Sequence, residues 1–568
     1  MRKKALFSIV CTVLLFTAST GSRGADEGVI TDPLPTTPAT LPQPVPDAVP
    51  VDPVAQAIQT NLMPPVVPIP APRFAIDTAV LDYYGQRGFR PAWGQDEDVD
   101  QLLSGVAAVT ADGLDPADFA LADLTRARSV LHDAAATSEQ RASFDTRATR
   151  TYVLAVLELR RGKVDPASLD RQWNVHPGAV DDSGADIKEI LDSLDHHQVG
   201  QTFASAPPSN PLYTQLRDGL AHLRAVHEHG GWPEVPAGPQ LQMGVDDPAV
   251  AILRRRLVSG GYLESNNVHS HKFDAPLAAA VKKFQVEQYL PANGRILPET
   301  LAALNIPLDQ RINQVRVNME RARWLLYKLA ETFVVVDIAG YKIAMYQDGK
   351  PIWRSRVQVG KPYRSTPVFQ SQITYITFNP TWTVPPTILT EDILPKVIKN
   401  SGYLAANHIR VFDRQGAEVN PAGVDWPNAH GLTLRQDAGP TNSLGQVVIR
   451  FPNPYAIYLH DTPHRELFNK QVRATSSGCI RVEHPLELVR LLFNDTDHWN
   501  DSAIQAQLAT GKTTNIRLPV KVPVLMAYWT VDLQTGGRVS FKPDVYGHDQ
   551  PLLRALDKPV PAVSQVGG

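Results

Sequence analysis

The spacing of apolar positions changes twice along the chain. From about 74 to 231 apolar residues recur every three to four positions, as at Tyr152, Ala155, Val156 and Leu159, before Arg160-Arg161-Gly162 closes the run. That period predicts helices. Gly113-Leu114-Asp115-Pro116 reads as a turn into a further helix, with Asp115 as N-cap and Pro116 in the first position. No catalytic grouping stands out here, and the segment 74–235 reads as a helical scaffold. A compact unit follows at 240–307, with three predicted helices. The first carries Ile252, Leu253, Arg256 and Leu257 and stops at Gly260-Gly261; the second spans 275–288, with Val281, Phe284 and Gln285 on or beside its inner face. Asn293-Gly294 turns the chain into the third, opened by Pro298. A connecting helix is expected at 311–330.

After it the texture becomes that of strands. Short β-branched and aromatic runs occur at 332–337, 341–346 and 352–359, separated by Ala339-Gly340 and Asp348-Gly349, which are hairpin signals. Further runs at 373–384, 447–451, 456–460, 522–533 and 538–541 extend a mainly antiparallel β domain over 331–546. The stretch 385–440 interrupts it with a helical piece, a break at Gly402 and the turn Asp413-Arg414-Gln415-Gly416. It is too long for a simple loop and reads as a cap subdomain inserted over a site. The remainder, 547–568, reads as a tail. The fold class is α+β multidomain: helical N-terminal scaffold, small three-helix module, mainly antiparallel β domain with an inserted cap.

The N-terminal stretch changes this picture only by adding a route. Arg2, Lys3 and Lys4 precede an apolar run, and small residues Ser19 and Gly21 suit cleavage after position 21, so 1–21 reads as an export signal. The expected location is the periplasm, with tethering to the inner membrane if the signal stays uncleaved. Residues 22–73 are a proline-rich linker, about one proline in three from Asp32 onward, predicted to be an extended spacer without a core. A length of 568 residues accommodates about three domains. A formal net charge of −3 with no long basic run argues against a nucleic-acid partner.

Composition matters most through cysteine. The chain has two, Cys11 and Cys479, and Cys11 lies inside the export signal. A single remaining thiol in an exported chain is buried, intermolecular or reactive. Cys479 lies 19 positions after His460, which ends an apolar strand-like run. An imidazole can accept the thiol proton and so supply the nucleophilic thiolate. The loop-like residues between them allow the two to meet. Gly478 permits a tight backbone whose amides could face an oxyanion. Arg481 shares a face with Cys479 in an extended segment and suits a substrate carboxylate as well as it suits a structural ion pair.

These residues resemble the YkuD-type L,D-transpeptidase catalytic domain, in its large periplasmic YcbB-like branch. The second motif reads Ser476-Ser477-Gly478-Cys479-Ile480-Arg481, so Ser477 stands where most of the family has histidine, a departure shared by that branch. The likeness extends to VNMERARWL (317–325), FNPTWTVPPTI (378–388), LRQDAGPTNSLG (434–445) and IYLHDTPHRELF (457–468). The unit at 240–307 resembles the peptidoglycan-binding type 1 module through LRRRLVSGGYL, AAAVKKFQVEQYLPANG and LPETLAALN, with Leu297 where that family usually has glycine. The resemblance implies Cys479 as nucleophile, His460 as its base and the Asp461 carbonyl as the group orienting the imidazole. It implies the amides of Gly478 and Cys479 as oxyanion hole, and Tyr458, Ser477 and Arg481 as pocket and supporting residues. It implies no cofactor. The implied partners are peptidoglycan: a tetrapeptide stem as donor, a diaminopimelate-type amine as acceptor, wall glycan or peptide at 240–307, and cell-wall synthesis proteins beside them. The implied reaction is 3→3 cross-linking through a cysteinyl thioester.

Two other readings stay open on the residues alone. Water in place of the amine would give an L,D-carboxypeptidase, and the module plus scaffold would suffice for a non-catalytic wall-binding protein. A zinc site at His460 and His464 is disfavoured, because Pro463 argues against one helix presenting both and no third ligand stands out.

Overall fold

The computed structural model describes residues 52–63, 74–170, 173, 175, 182–326, 329–534 and 538–559. The proposed export signal and most of the proline-rich linker lie outside the described residues. The linker's one described piece corrects the expectation of a coreless spacer. Pro53–Leu62 is a helix, with Asp52 capping it by accepting from Val54 N at 2.9 Å and Pro53 in the first position. Ala55, Ile58 and Leu62 are buried, and the helix packs on the long scaffold helix Ser138–Arg161. Prolines on either side masked a short amphipathic stripe that is itself free of proline beyond its first residue.

Ser138–Arg161 is the axis of the scaffold. It opens with a Thr137/Gln140 capping box and ends at Gly162, whose φ of +83° suits glycine. The module consists of helices Pro248–Ser259, Ala275–Glu287 and Pro298–Leu304 around Leu253, Leu257, Leu277, Val281 and Phe284. Gln285 is fully buried, and its amide holds the following turn by accepting from Gly294 N and donating to the Arg295 carbonyl, both at 2.8 Å.

The helix predicted to connect module and β domain runs Leu308–Leu325, and it is a buried spine rather than a linker. Glu320 accepts from Val164 N of the scaffold at 2.7 Å, Arg323 donates to Tyr213 Oη at 2.8 Å, and Asn318 donates to Thr530 Oγ1 at 2.7 Å. The VNMERARWL block is thus an interior polar network whose charges satisfy one another, as buried charges must.

The β domain contains β1 (Phe333–Asp337), β2 (Lys342–Gln347), β3 (Lys350–Gly360), β4 (Phe369–Phe378), β5 (Trp382–Thr383), β6 (Ile409–Phe412), β7 (Glu418–Val419), β8 (Thr433–Gln436), β9 (Val447–Arg450), β10 (Leu459–His460), β11 (Ala474–Ser476), β12 (Ile480–Val482), β13 (Thr514–Ala527), β14 (Val531–Leu533) and β15 (Val539–Phe541). Nine form one sheet in the order β11-β3-β12-β10-β9-β4-β13-β1-β2, and β2 also pairs with β3, so the sheet closes on itself. Most pairs are antiparallel; β1–β13, β10–β12 and β11–β3 are parallel. The insertion at 385–440 supplies β6, β7 and β8, which join β5 in a separate four-stranded sheet with its own core of Val384, Ile393, Val397, Leu404, Val411 and Leu434.

The tail expectation also needs correction. Asp549–Leu556 is a helix with Leu552 and Leu556 buried, and Asp549 pairs with Arg321 of the spine at 2.6 Å. Residues 560–568 lie outside the described residues.

Candidate active site

Two neighbouring parallel strands build the site. In the β10–β12 register Leu459 faces Ile480 and His460 faces Arg481, and Ile480 N donates to the Tyr458 carbonyl at 3.1 Å. Leu459 and Ile480 are fully buried and anchor the pair in the core. Alternation along a strand then sends Tyr458 and His460, and Cys479 and Arg481, to one shared face. The rings of Tyr458 and His460 meet edge to face at 5.6 Å between centroids. Cys479 stands at the register position beside Tyr458, one side-chain repeat from His460, a diagonal on the order of 8 Å between Cα atoms.

His460 is buried, and its Nδ1 lies 2.6 Å from the Asp461 carbonyl. A carbonyl only accepts, so Nδ1 carries the hydrogen and Nε2 is left with its lone pair. Burial first, and the Arg481 guanidinium second, push the imidazole down to about 3, against the opposing pull of the Asp461 and Leu444 backbones. Cys479 is half-buried, and its thiol donates to the Ala456 carbonyl at 3.6 Å. Burial pushes this thiol up, while the Tyr458 amide and hydroxyl, Arg481 and Arg450 favour the thiolate. The resting pair is therefore neutral thiol and neutral imidazole. The Tyr458 hydroxyl is pushed up by burial and by the neighbouring Cys479 sulfur.

Ala456, whose carbonyl takes the thiol hydrogen, has φ +55°, an uncommon conformation for a residue with a Cβ. Gly478 has φ +113°, and a Cβ there would come within 3.3 Å of Ile457 Cδ1. The expectation that Gly478 N–H faces an oxyanion is not met: it donates to Ser476 Oγ at 3.2 Å, and Ser476 Oγ in turn donates to the Cys479 carbonyl at 2.6 Å. The turn spends that donor on itself.

Arg481 donates to Gln358 Oε1 at 3.2 Å, while its Nε is buried without a hydrogen-bond partner. The Asp461 carboxylate accepts from Gln446 N at 2.9 Å. Ser477 is exposed and accepts from Arg364 Nη1 at 2.9 Å; Arg364 also pairs with Glu391 and Asp392 of the inserted subdomain. His464 lies apart, beside Glu466 at 3.5 Å, and no metal-binding group of residues occurs among those described.

Four contributors escaped the sequence reading. Gln358 reaches Arg481 from β3, Arg450 lies 5.2 Å from the Tyr458 ring, Arg364 holds the Ser477 turn, and Trp382, from the inserted subdomain's sheet, opposes the upward push on the Tyr458 hydroxyl. Gln358 and Arg364 come from segments more than a hundred residues away, without local spacing to mark them. Trp382 lies in the FNPTWTVPPTI block, which was the one signal available.

A thiol, an imidazole whose Nδ1 is held by the Asp461 carbonyl, and two guanidiniums share one face of a closed sheet, a set of side chains suited to nucleophilic attack on a carbonyl. Comparison with known proteins places the chain's parts more narrowly. Residues 331–498 match the YkuD family, the L,D-transpeptidase catalytic domain; 78–220 match a scaffold domain family; and 246–304 match a family described as "Putative peptidoglycan binding domain". The chain carries a YkuD-type L,D-transpeptidase catalytic domain together with a peptidoglycan-binding type 1 domain. A Haemophilus influenzae protein described as "Putative L,D-transpeptidase" is 38% identical over 222 residues, 39% of this chain and 45% of that protein. The match thus spans less than half of that relative's length. Among solved structures, an L,D-transpeptidase from Xylanimonas cellulosilytica is 14% identical, covering 51% of this chain and 98% of that one, with a TM-score of 0.17. One from Mycobacterium smegmatis is 14% identical, covering 35% and 58%, with a TM-score of 0.16. The YkuD match stops at His498, although β13 lies between β4 and β1 in the same sheet.

Proposed function

We propose that this protein is a peptidoglycan L,D-transpeptidase that forms 3→3 cross-links through a cysteinyl thioester. The observation that carries the reading is the shared face of β10 and β12, with Cys479 beside Tyr458 and His460 across from Arg481. The Cys479 thiol gives its proton to His460 Nε2 as the sulfur bonds to the carbonyl carbon after the third stem residue. The C–N bond to the fourth residue breaks, the protonated imidazole returns the proton to the departing amine, and a thioester remains. A side-chain amine of a second stem then attacks the thioester, loses a proton to His460 and releases the sulfur. The oxyanion needs donors other than Gly478; the N–H of Cys479 and the Tyr458 hydroxyl are our assignment. Arg481, whose buried Nε has no hydrogen-bond partner and whose charge acts on Cys479, is suited to hold a stem carboxylate.

The same thioester meeting water gives an L,D-carboxypeptidase. The inserted subdomain favours the transpeptidase, because Trp382 of its sheet acts on the Tyr458 hydroxyl and Arg364 ties its Glu391 and Asp392 to the Ser477 turn, and a covered site that excludes water protects a thioester. Export to the periplasm is part of the proposal, since the substrate lies there, and the 246–304 domain would hold the enzyme on the wall. Incubation with purified disaccharide-tetrapeptide and mass analysis of products tests it. Dimers lacking one D-alanine are expected from wild type and none from Cys479→Ala; tripeptides alone would assign the carboxypeptidase. A carbapenem should add covalently to Cys479, and a chain that neither labels nor reacts would be only a wall-binding protein.

A further inference from the structure

A second arrangement of unusual polarity lies outside the candidate active site. Where helix Pro211–Glu228, the 246–304 domain, the spine helix and β15 meet, a cavity is lined by Trp232, Arg256, Tyr262, Gln288, Arg311 and Arg538 among others. Its empty space is about 420 Å³ counting the mouth, but it is so narrow that the centre of a water-sized group can range over only about 20 Å³. That admits a group of a few atoms.

Two cationic side chains line it with no carboxylate in hydrogen-bond contact. Arg256 is 3% exposed and Arg311 7%. The acceptors that hold them are neutral: the Leu304 carbonyl for Arg256 at 2.8 Å, and Gln288 at 2.9 Å and Gln314 at 2.7 Å for Arg311. Their flat faces lie on rings, Arg256 at 3.8 Å from Trp232 and Arg311 at 4.4 Å from Phe541. Nearby carboxylates are committed elsewhere, Glu287 to Arg538 and Asp549 to Arg321, each at 2.6 Å. Burial lowers both guanidiniums, and Arg256 further lowers Arg311 against a weaker pull from Tyr262 and Asp549, each to about 10, so both stay charged at neutral pH. Arg256 Nη1 and Trp232 Nε1 are buried with no hydrogen-bond partner. Buried charges are ordinarily paired or neutralised, and here two like charges and two idle donors surround one small space.

We infer that this cavity is a binding site for a carboxylate group, which supplies the absent negative charge and accepts from Arg256 Nη1 and Trp232 Nε1. A planar carboxylate matches guanidinium N–H donors and fits a space too narrow for a bulky anion. Bound there, it joins the wall-binding domain to the spine and to the β15 hairpin. The inference does not depend on the reaction proposed for Cys479.

The test is saturation-transfer NMR on the full chain with sodium acetate at fixed ionic strength. Wild type is expected to give a saturable signal that chloride displaces poorly. Arg256→Gln combined with Arg311→Gln should remove it. Trp232→Phe keeps both charges and most of the bulk, and should weaken the apparent affinity by about tenfold. Circular dichroism checks that each variant is folded, and Trp232→Phe carries the test if the double variant is not. N-acetyl-alanyl-alanine, too large for the narrow part except at its end, separates two sources: a signal like that of acetate assigns the site to the end of a larger molecule, and none assigns it to a free small acid. An unsaturable wild-type signal, equal displacement by chloride, or a Trp232→Phe variant indistinguishable from wild type would overturn the inference.

Discussion

A thiol pushed up by burial and an imidazole pushed down by it make proton transfer from Cys479 to His460 uphill in the free protein. With His460 down at about 3, no group of the pair titrates near the ordinary histidine range. The alkylation rate of Cys479 by iodoacetamide should therefore rise with pH in one step above the ordinary thiol range, without a shoulder near pH 6.5. Arg481→Gln removes a cation that favours the thiolate and should slow alkylation severalfold at any fixed pH below that step. Stability carries the same signature. Between about pH 6.5 and 3 the unfolded imidazole binds a proton that the folded one refuses, so His460 contributes fully above pH 6.5 and loses that contribution as pH falls. His460→Gln should flatten urea-unfolding stability across this window, by up to a few kcal/mol. Glu158 behaves in the opposite sense. It is buried in the scaffold with Oε2 unpartnered, and burial raises it to about 8. The folded state holds its proton from about pH 4.5 to 8 where the unfolded state releases it, so stability falls as pH rises through that range. Glu158→Gln should gain on wild type by a few kcal/mol at pH 8 relative to pH 5, read from the same urea curves. Cys479 and His460 could be picked out from sequence because a lone thiol and a strand-ending histidine are conspicuous. The Gly478 donor was misread because its fate depends on the rotation of a serine hydroxyl, which no spacing encodes.

At the scale of elements, one register decides the site. A shift of one residue between β10 and β12 would turn His460 or Cys479 to the opposite face, and the fully buried Leu459–Ile480 pair holds the register. The inserted subdomain contributes through contacts that bear on function separately from its own core. Trp382 eases the upward push on the Tyr458 hydroxyl, which neighbours the sulfur, and Arg364 ties the Ser477 turn to Glu391 and Asp392. Trp382→Phe should leave unfolding nearly unchanged and slow carbapenem acylation of Cys479 by about tenfold, the loss of one polar donor near a group lining the reacting centre. Acylation rates equal to wild type would remove Trp382 from the site. The helical scaffold, the three-helix module and the strand-rich domain were legible because their hydrophobic periods differ and their turns carry glycine and proline. Pro53–Leu62 was not, since its stripe of Ala55, Ile58 and Leu62 sits inside a proline-dominated average. The parallel pairing of β10 with β12 was not legible either: two short strands joined by an irregular segment give no local sign of direction.

Across the whole molecule, the chain order conceals how the parts are fastened. β13 comes after the helix Asp501–Ala509 and returns to the middle of the sheet, where it runs parallel to β1 and antiparallel to β4. The chain then crosses the spine helix, where Thr530 accepts from Asn318 and donates to Asp549 at 2.8 Å. The helix Asp549–Leu556 completes this knot: Asp549 pairs with Arg321, and Lys163 of the scaffold donates to the Leu556 carbonyl at 2.8 Å. The C-terminal segment that reads as a tail therefore clamps scaffold and β domain against one helix. Truncation after Gly547 would expose the sites that Leu552 and Leu556 cover and leave Arg321, 5% exposed, without its carboxylate. Two buried leucines contribute about 3–6 kcal/mol, and an uncompensated buried guanidinium adds to the loss. The truncated chain should unfold at a denaturant midpoint well below that of the full chain. Asp549→Asn, which keeps the helix and removes only the charge, should show the electrostatic part alone. If the truncated chain unfolded with the full chain's midpoint, the helix would be an ornament on the surface; if Asp549→Asn alone reproduced the whole deficit, the leucines would contribute nothing and the clamp would be purely ionic.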